Sequence, residues 1–564
     1  MIHRARIGKA ALIISSAFVV SRILGLLRTS MFAFVFGAGS TSDAYVQAFF
    51  VPDLIFNIVA GGALGSAFIP VFIKYWVGER DQKTAWHIAS SALNLTITVM
   101  IGLALLAIIF ARQLVPLYNP GEPSTQLDLI ASLIRIMLLQ SIALGIGVIT
   151  SSVLQSRQNF LLPAVGTVLY NVGLIAGLLP GIILAAHRPA NYNTVAVYAA
   201  TWGVVAGALL QVGIQIPGLV KVGMRYTFSF DWRHPGVIQV ARQMGPRIFN
   251  SAVLYLSILV DRILILLLVV VVGQSIIQGL ITQYYQSLQL ILLPLGIFGM
   301  SLATAVFPTL AEYVTRGRMD RLRSLVLETL RGILFLTIPS SVGLIVLGLP
   351  IIQVLLQHGA YSLENAQSTS VPLAFFAVGL AGLASVEILT RSFYALRDSM
   401  TPVIVSIGQF IFKIALSLVL INLAVLGNSP QMKGALGMGM LAFSTSCAGL
   451  LEAAVLFWLL HQRIGEMQVR ATAIFLGRVL LASVAMGIAL LILRWMLDAI
   501  LVTTAPNQTL GLGGTFLALI KLLIEISVGV LTYFMAARVL GIGIDTLNLG
   551  PVRRLLDRLK LSWI

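Results

Sequence analysis

Cysteine is all but absent from this chain. Cys447 stands alone among 564 residues, so neither a disulfide framework nor a cysteine-rich metal site is available. Charge is scarce too: 10% of residues are Asp, Glu, Lys or Arg, against 58% hydrophobic and a mean hydropathy of +0.97. That balance excludes an ordinary soluble domain or a disordered chain and marks a polytopic membrane protein. The short alternating runs of a transmembrane barrel are missing, and the apolar stretches are long and continuous, as helical spans require. Acidic residues number 20 against 37 basic ones, a formal charge of +17. In a soluble protein that excess would suggest nucleic acid. Here it fits loops facing anionic headgroups, and the expected partner is the lipid bilayer, with no nucleic acid. The six histidines show no metal-ligand spacing. There is no Walker A loop and no recognisable Ser/His/Asp arrangement, so no metal, cofactor or catalytic residue is expected and the chain does not read as an enzyme. No cleavable leader is expected behind the basic stretch 1–9.

What the sequence does contain is fourteen apolar stretches between residues 10 and 538, each long enough to span a bilayer. Basic residues fall in alternate loops: Lys74, Arg80 and Lys83; Arg157; Lys221, Arg225, Arg233 and Arg242; Arg316, Arg318, Arg321 and Arg323; Arg397; Arg463 and Arg470. The intervening loops hold only Arg112, Arg188 and Lys433. This is the positive-inside pattern with both termini cytoplasmic. Pro235–Arg247 and Val552–Lys560 read as short interfacial segments. The second sets Arg553, Arg554, Arg558 and Lys560 beside three leucines, as either a basic amphipathic helix on the inner leaflet or a solvated tail.

A repeat is visible. Gly62–Pro70 is echoed by Met300–Pro308, and Gln155–Arg157 by Leu396–Asp398, each at an offset of about 240 residues, or six spans. An even number of spans preserves direction, so the halves are parallel repeats. The expected organisation is an N-terminal lobe at 1–222, a C-terminal lobe at 223–465 with a linker at 223–246, an appended pair of spans at 466–541, and a tail at 542–564.

Several polar residues fall inside spans. The first span carries Arg22 and Arg28, about 9 Å apart along a helix and 120° around it. Each costs roughly 2.5–3.5 kcal/mol at the centre of a membrane helix. Two such cations argue for a buried or water-filled cavity with an anionic cargo, although Arg28 is near enough to the span's end to snorkel. Asp43 opens the second span, either to pair with an arginine or to favour the helix N-terminus. Further candidates for cavity or coupling charges are Asp261, Arg262, Gln289, Glu387, Arg391 and Lys413. Glu387 and Arg391 are an i,i+4 pair, and Lys413 is a candidate partner for Asp261. Gly61, Gly62 and Gly65 in the second span, and Pro294, Gly296 and Gly299 in the eighth, suggest broken helices that act as hinges, or close packing through small residues.

Ser21-Arg22-Ile-Leu-Gly25, Arg28, Phe36–Gly39 and Ser42-Asp43-Ala44 resemble the opening of the MurJ/MviN family. Ala67–Pro70, Gln243–Pro246, Phe393-Tyr394, Arg397-Asp398 and Thr401-Pro402 extend the resemblance along the chain. It implies the multidrug/oligosaccharidyl-lipid/polysaccharide exporter fold: an all-α protein with fourteen transmembrane helices, two parallel six-helix lobes in a V around a central cavity, and two extra C-terminal helices forming a groove for a lipid tail. The implied function is flipping lipid II, an undecaprenyl-pyrophosphate-linked precursor, across the bacterial cytoplasmic membrane for peptidoglycan synthesis, with cell-wall synthesis proteins as partners. Arg22, Arg28 and Asp43 match the family's substrate-binding positions. Two other family arginines are replaced, one within Pro52–Asn57 (at Phe56 or Asn57) and one at Gln289.

Three readings follow from the residues. The first is a flippase for lipid II or another polyprenyl-linked glycan. The second is a cation-coupled exporter of small molecules on the same fold, against which Arg22 and Arg28 count. The third is a non-transporting scaffold, which the replaced arginines favour and the retained ones oppose.

Overall fold

In a computed structural model, the structure describes residues 20–542 apart from 61–62, 158, 186, 188, 190, 273–277, 427–429, 466 and 501–511. The described residues are mostly helical, with short non-helical connections and without strands. Eleven helices are long and apolar enough to cross a membrane, matching the third to sixth and eighth to fourteenth expected spans. The other three expected spans fall on residues 20–36 (α1), on a broken run beginning at Ser40, and on Pro235–Val272 (α11).

The broken run comprises α2 (Ser40–Ala48), α3 (Phe50–Val59), α4 (Ala63–Ile73) and a π-helical turn at Lys74–Gly78. The sequence suggested one bent span. The structure divides it, with the first break at Phe49, where Pro52 in the first turn of α3 has no N–H to offer the Ala48 carbonyl. Next come α5 (Gln82–Ile109), α6 (Ala111–Tyr118), α7 (Ser124–Ser156), α8 (Leu161–Leu184), α9 (Tyr192–Gly213) and α10 (Ile216–Lys221). The eighth span is interrupted in the same way as the second: α12 (Leu280–Pro294) passes through a π segment, Leu295–Met300, into α13 (Ser301–Thr315). Pro294 lacks the N–H its helix needs, and π insertions relieve such a mismatch. The remaining helices are α14 (Met319–Leu356), α15 (Leu363–Ala395), α16 (Met400–Leu420), α17 (Pro430–Ile464), α18 (Val469–Ile500) and α19 (Leu512–Val539).

Helices begin at Ala63, Gln82, Ser124, Leu161 and Tyr192, and again at Ser301, Met319, Leu363, Met400 and Pro430. Each pair lies about 240 residues apart, as a parallel duplication requires. Within the first half, α8 and α9 approach backbone to backbone: a Cβ on Gly173 would lie 2.3 Å from the Gly207 Cα, and one on Gly177 would lie 2.6 Å from the Gly203 Cα. Reciprocal small-xxx-small spacing permits this.

The chain forms two compact units, Met1–Leu266 and Leu267–Ile564. The division falls inside α11 rather than at 222. The linker and the start of α11 belong with the first unit because Val237 and Val240 are buried in its core, beside Ile88 and Trp86. In the second unit, α18 and α19 pack on α14 through Phe335, Met486, Leu490 and Tyr533, and the Tyr533 hydroxyl donates to the Phe335 carbonyl at 2.7 Å.

Candidate functional site: the polar groups of the two units

The first unit gathers polar residues from α1, α2, α3, α7, α8 and α11. On α1, Arg22 is exposed and Arg28 half-buried. The helix is held next to Arg22 by Asn171 of α8, whose Nδ2 donates to the Ser21 hydroxyl at 3.0 Å. Arg28 lies within electrostatic reach of the Tyr45 and Tyr170 hydroxyls, so its charge is directed inward. Tyr170 donates to Gln140 Oε1 at 3.0 Å. Phe32, Phe36, Tyr45 and Phe49 stack along the same seam, with centroids 4.9–6.4 Å apart.

Asp43 is buried in the first turn of α2. The cap itself is Gly39, whose N–H donates to the Ser42 hydroxyl and whose carbonyl accepts from it, both at 2.8 Å. Asp43 sits one residue beyond, where a carboxylate still favours the helix N-terminus.

Arg262 is a different kind of cation from Arg22 and Arg28. It is 4% exposed. Its Nη1 donates to the Gln47 carbonyl at 3.2 Å and its Nη2 to the Val46 carbonyl at 3.4 Å, with the guanidinium 4.7 Å from the Phe50 ring centroid. Those carbonyls belong to the last turn of α2, where the Gln47 carbonyl also accepts from the Phe49 N–H at the break. A cation at this negative end of a helix is favourable. Arg262 therefore holds α11 against the broken second span. Asp261 lies beside it, half-buried, and the half-buried Asp53 of α3 is within electrostatic reach of both Arg262 and Tyr170. Asp53 was not singled out in the sequence, although it lies in the departing stretch Pro52–Asn57. Phe56 and Asn57 are half-buried. The sequence placed Lys413 as a candidate partner for Asp261; the two residues belong to different units.

In the second unit, Arg391 pairs with Glu387 on α15, and its Nη2 donates to the Thr304 hydroxyl of α13 at 3.1 Å. Lys413 is buried on α16. Glu452 of α17, buried as well, accepts from the Ser406 hydroxyl at 2.6 Å and feels the Glu387 charge. Gln289 is exposed on α12. Of the hinge candidates, Gly61 and Gly62 lie outside the described residues. A Cβ on Gly65 would meet the Ser152 hydroxyl at 3.0 Å, and one on Gly299 would meet the Ala384 Cα and Cβ at 3.1 Å. Pro294 begins the π segment, and Gly296 lies within it.

That π segment also lines a groove. Pro294, Ile297 and Phe298 face Pro339, Gly343 and Leu347 of α14, Met486 and Leu490 of α18, and Ile526 and Tyr533 of α19 around a cavity of 410 Å³. Its walls are almost wholly apolar, which suits a hydrocarbon chain. Among the described residues no three His, Cys, Asp or Glu side chains gather where a metal ion could sit.

A sequence profile described as lipid II flippase MurJ matches residues 32–509. The chain belongs to the lipid II flippase MurJ family. Relatives in that family include a probable lipid II flippase MurJ of Buchnera aphidicola subsp. Acyrthosiphon pisum, 27% identical over 95% of this chain and 97% of that protein. Another, from Vibrio cholerae, is 27% identical over 96% of this chain and 98% of its own length. Among solved structures, lipid II flippase MurJ in an inward closed conformation matches with a TM-score of 0.72 at 23% identity, covering 94% of this chain and 98% of that one. An inward-facing multidrug resistance MATE family transporter of the MOP superfamily matches with a TM-score of 0.60 at 14% identity, covering 81% of this chain and 99% of that one. Both show a shared fold. The MurJ family is thus built here on an all-α, multi-pass membrane scaffold with the duplication described above.

Proposed function

We propose that this chain flips lipid II from the cytoplasmic to the outer leaflet of the bacterial inner membrane by alternating access, without catalysing a covalent step. Family membership supports the cargo. The observation that carries the reading is the contrast among arginines. Arg262 is buried, whereas α1 keeps Arg22 exposed and Arg28 half-buried, where an anionic headgroup could reach them. Arg22 and Arg28 would hold the pyrophosphate through charge-assisted hydrogen bonds, with Asp43 setting their orientation. The end of α3 at Ala60 and the π segment Leu295–Met300 would serve as hinges, and the α18–α19 pair would supply a groove for the prenyl tail. The alternation of loop charge supports cytoplasmic termini. A membrane potential contributes about 2.3 kcal/mol per elementary charge per 100 mV, so movement of the α1 cations would couple the cycle to it.

A flippase for another polyprenyl-linked glycan is the second reading. It is favoured by the neutral residues at Phe56, Asn57 and Gln289, where the resemblance implies arginine. Complementation of a bacterium depleted of its own lipid II flippase separates the two. Wild type should restore growth, while well-expressed Arg22→Ala and Arg28→Ala should not. A well-expressed wild type that fails to rescue would shift the cargo to another polyprenyl-linked glycan.

A further inference from the structure

Between α10 and α11 the chain leaves the helical path from Met224 to Asp231 and turns at Trp232 into α11. Tyr226, Phe228, Phe230 and Trp232 are exposed by 52, 79, 41 and 62%. Ser229 and Asp231 between them face α5, and the Tyr226 hydroxyl also reaches back to donate to Asn94 Oδ1 of α5 at 2.8 Å. The Thr227 N–H donates to the Ser90 hydroxyl at 3.1 Å, Asn94 donates to the Ser229 carbonyl at 2.9 Å, and His87 Nε2 pairs with Asp231 at 3.1 Å. With Ser229 and Asp231 fixed inward, Phe228, Phe230 and Trp232 are left outward as an aromatic ridge, with the Tyr226 ring beside them tied to α5 through its hydroxyl. Phe228 and Phe230 meet edge to face at 5.1 Å, and the Arg233 guanidinium lies 4.8 Å over the Trp232 ring. A contiguous, rigidly held apolar ridge marks an interaction surface.

Depth and charge identify the partner. The 28 residues of α5 span about 42 Å, more than the roughly 30 Å of hydrocarbon. Its apolar end, running to Ile109, fills that thickness. The roughly 12 Å that remains is the first eight residues, which puts His87 at headgroup level and the linker contacts of Ser90 to Asn94 at the edge of the hydrocarbon. Exposed Lys221, Arg225, Arg233 and Arg242 flank the ridge. The only carboxylate between residues 221 and 242 is Asp231, which is turned inward onto His87. Aromatic rings beside cations are the chemistry of the membrane interface, and basic residues there attract acidic lipid.

We propose that residues 224–234 are an interfacial anchor, with the four aromatic rings seated among acidic phospholipid headgroups of the leaflet on the basic-loop side. Only the naming of that leaflet as cytoplasmic rests on the orientation proposed above. The lone cysteine makes the test direct: Phe228→Cys in a Cys447→Ala background, spin-labelled in the full chain and reconstituted into phosphatidylglycerol/phosphatidylcholine vesicles. Arg318→Cys, in the α13–α14 loop, serves as the aqueous reference. The label at 228 should collide with oxygen more than with a water-soluble nickel chelate, the reverse of 318, and should rise toward water when phosphatidylcholine alone is used. Nickel accessibility at 228 equal to that at 318 would overturn the anchor. Spin–spin broadening that grows with protein density would assign the ridge to a second copy instead. A depth indifferent to phosphatidylglycerol would remove the acidic headgroup from the proposal. None of these readouts depends on transport, so the complementation result stands or falls separately.

Discussion

At the scale of single residues, three arginines in membrane helices have different work. An arginine in hydrocarbon must find acceptors, and where it finds them decides what else it is able to bind. Arg262 finds them in the carbonyls of Val46 and Gln47 and lies against an aromatic face. Removing it takes two charge-assisted hydrogen bonds from the end of α2, at about 1.5–3 kcal/mol. Arg262→Ala should therefore lower the thermal unfolding midpoint of the purified protein. Arg262→Lys should restore it only in part, because a single ammonium cannot reproduce the planar fork. Arg28→Ala should leave that midpoint nearly unchanged while abolishing rescue of growth. An unaltered midpoint in Arg262→Ala would refute the capping role. None of this was legible in the sequence, where Arg262 reads as one more intramembrane charge. Its acceptors exist only because α2 stops at Ala48 and because α11 approaches that stop, a tertiary event. Arg22 and Arg28 were legible, since their cost is set by span position alone.

At the scale of elements, the spans followed from hydropathy, and the breaks followed in part. Pro294, Gly296 and Gly299 announced the π segment of the eighth span. The break at Phe49 was announced by Pro52, which has no N–H for the Ala48 carbonyl and suits the first turn of a new helix; what left no local mark is the arginine that binds the freed end. The ends of the helices are also where titration acts. Asp398 accepts hydrogen bonds from the Thr401 hydroxyl at 2.7 Å, from the Thr401 N–H at 3.0 Å and from the Met400 N–H at 3.1 Å, and it pairs with Arg463 at the end of α17. The Thr401 hydrogen bonds foremost, and then the Arg463 charge, hold its carboxyl below the ordinary value of 3.8. A depressed carboxylate stabilises the fold fully above its unfolded pKa, and that stabilisation is lost as pH falls through the folded one. Asp398→Ala should cost about 1 kcal/mol at neutral pH, as loss of a helix cap does. The difference from wild type should begin to shrink as pH falls toward 3.8 and should vanish only in stronger acid, below the depressed folded pKa, where the wild-type carboxyl is itself protonated. Unfolding midpoints measured across that range check both statements; a gap that persists at low pH would mean that packing, not charge, holds this turn.

At the scale of the whole molecule, a headgroup rich in anionic oxygen and a long prenyl chain need opposite surroundings, and this chain provides both. The cations of α1 lie in the first unit, and the apolar groove of α14, α18 and α19 lies in the second. The groove is walled partly by Ile297 and Phe298 of the π segment, so a tail lying there touches the proposed hinge of the eighth span. Gly343 offers a clean way to separate tail from headgroup. It lines the groove, and a Cβ placed there meets no atom within 4 Å. Gly343→Phe should fold at least as well as wild type, since it replaces a helix-interior glycine without a clash. Its ring would occupy the space a tail needs. In a reconstituted flipping assay, the variant should be slow with the full-length prenyl lipid and unimpaired with a short-chain analogue carrying the same pyrophosphate headgroup. Arg28→Ala should fail with both. Equal rates for Gly343→Phe and wild type on the long-chain lipid would show that the tail travels elsewhere and that the groove holds only structural lipid.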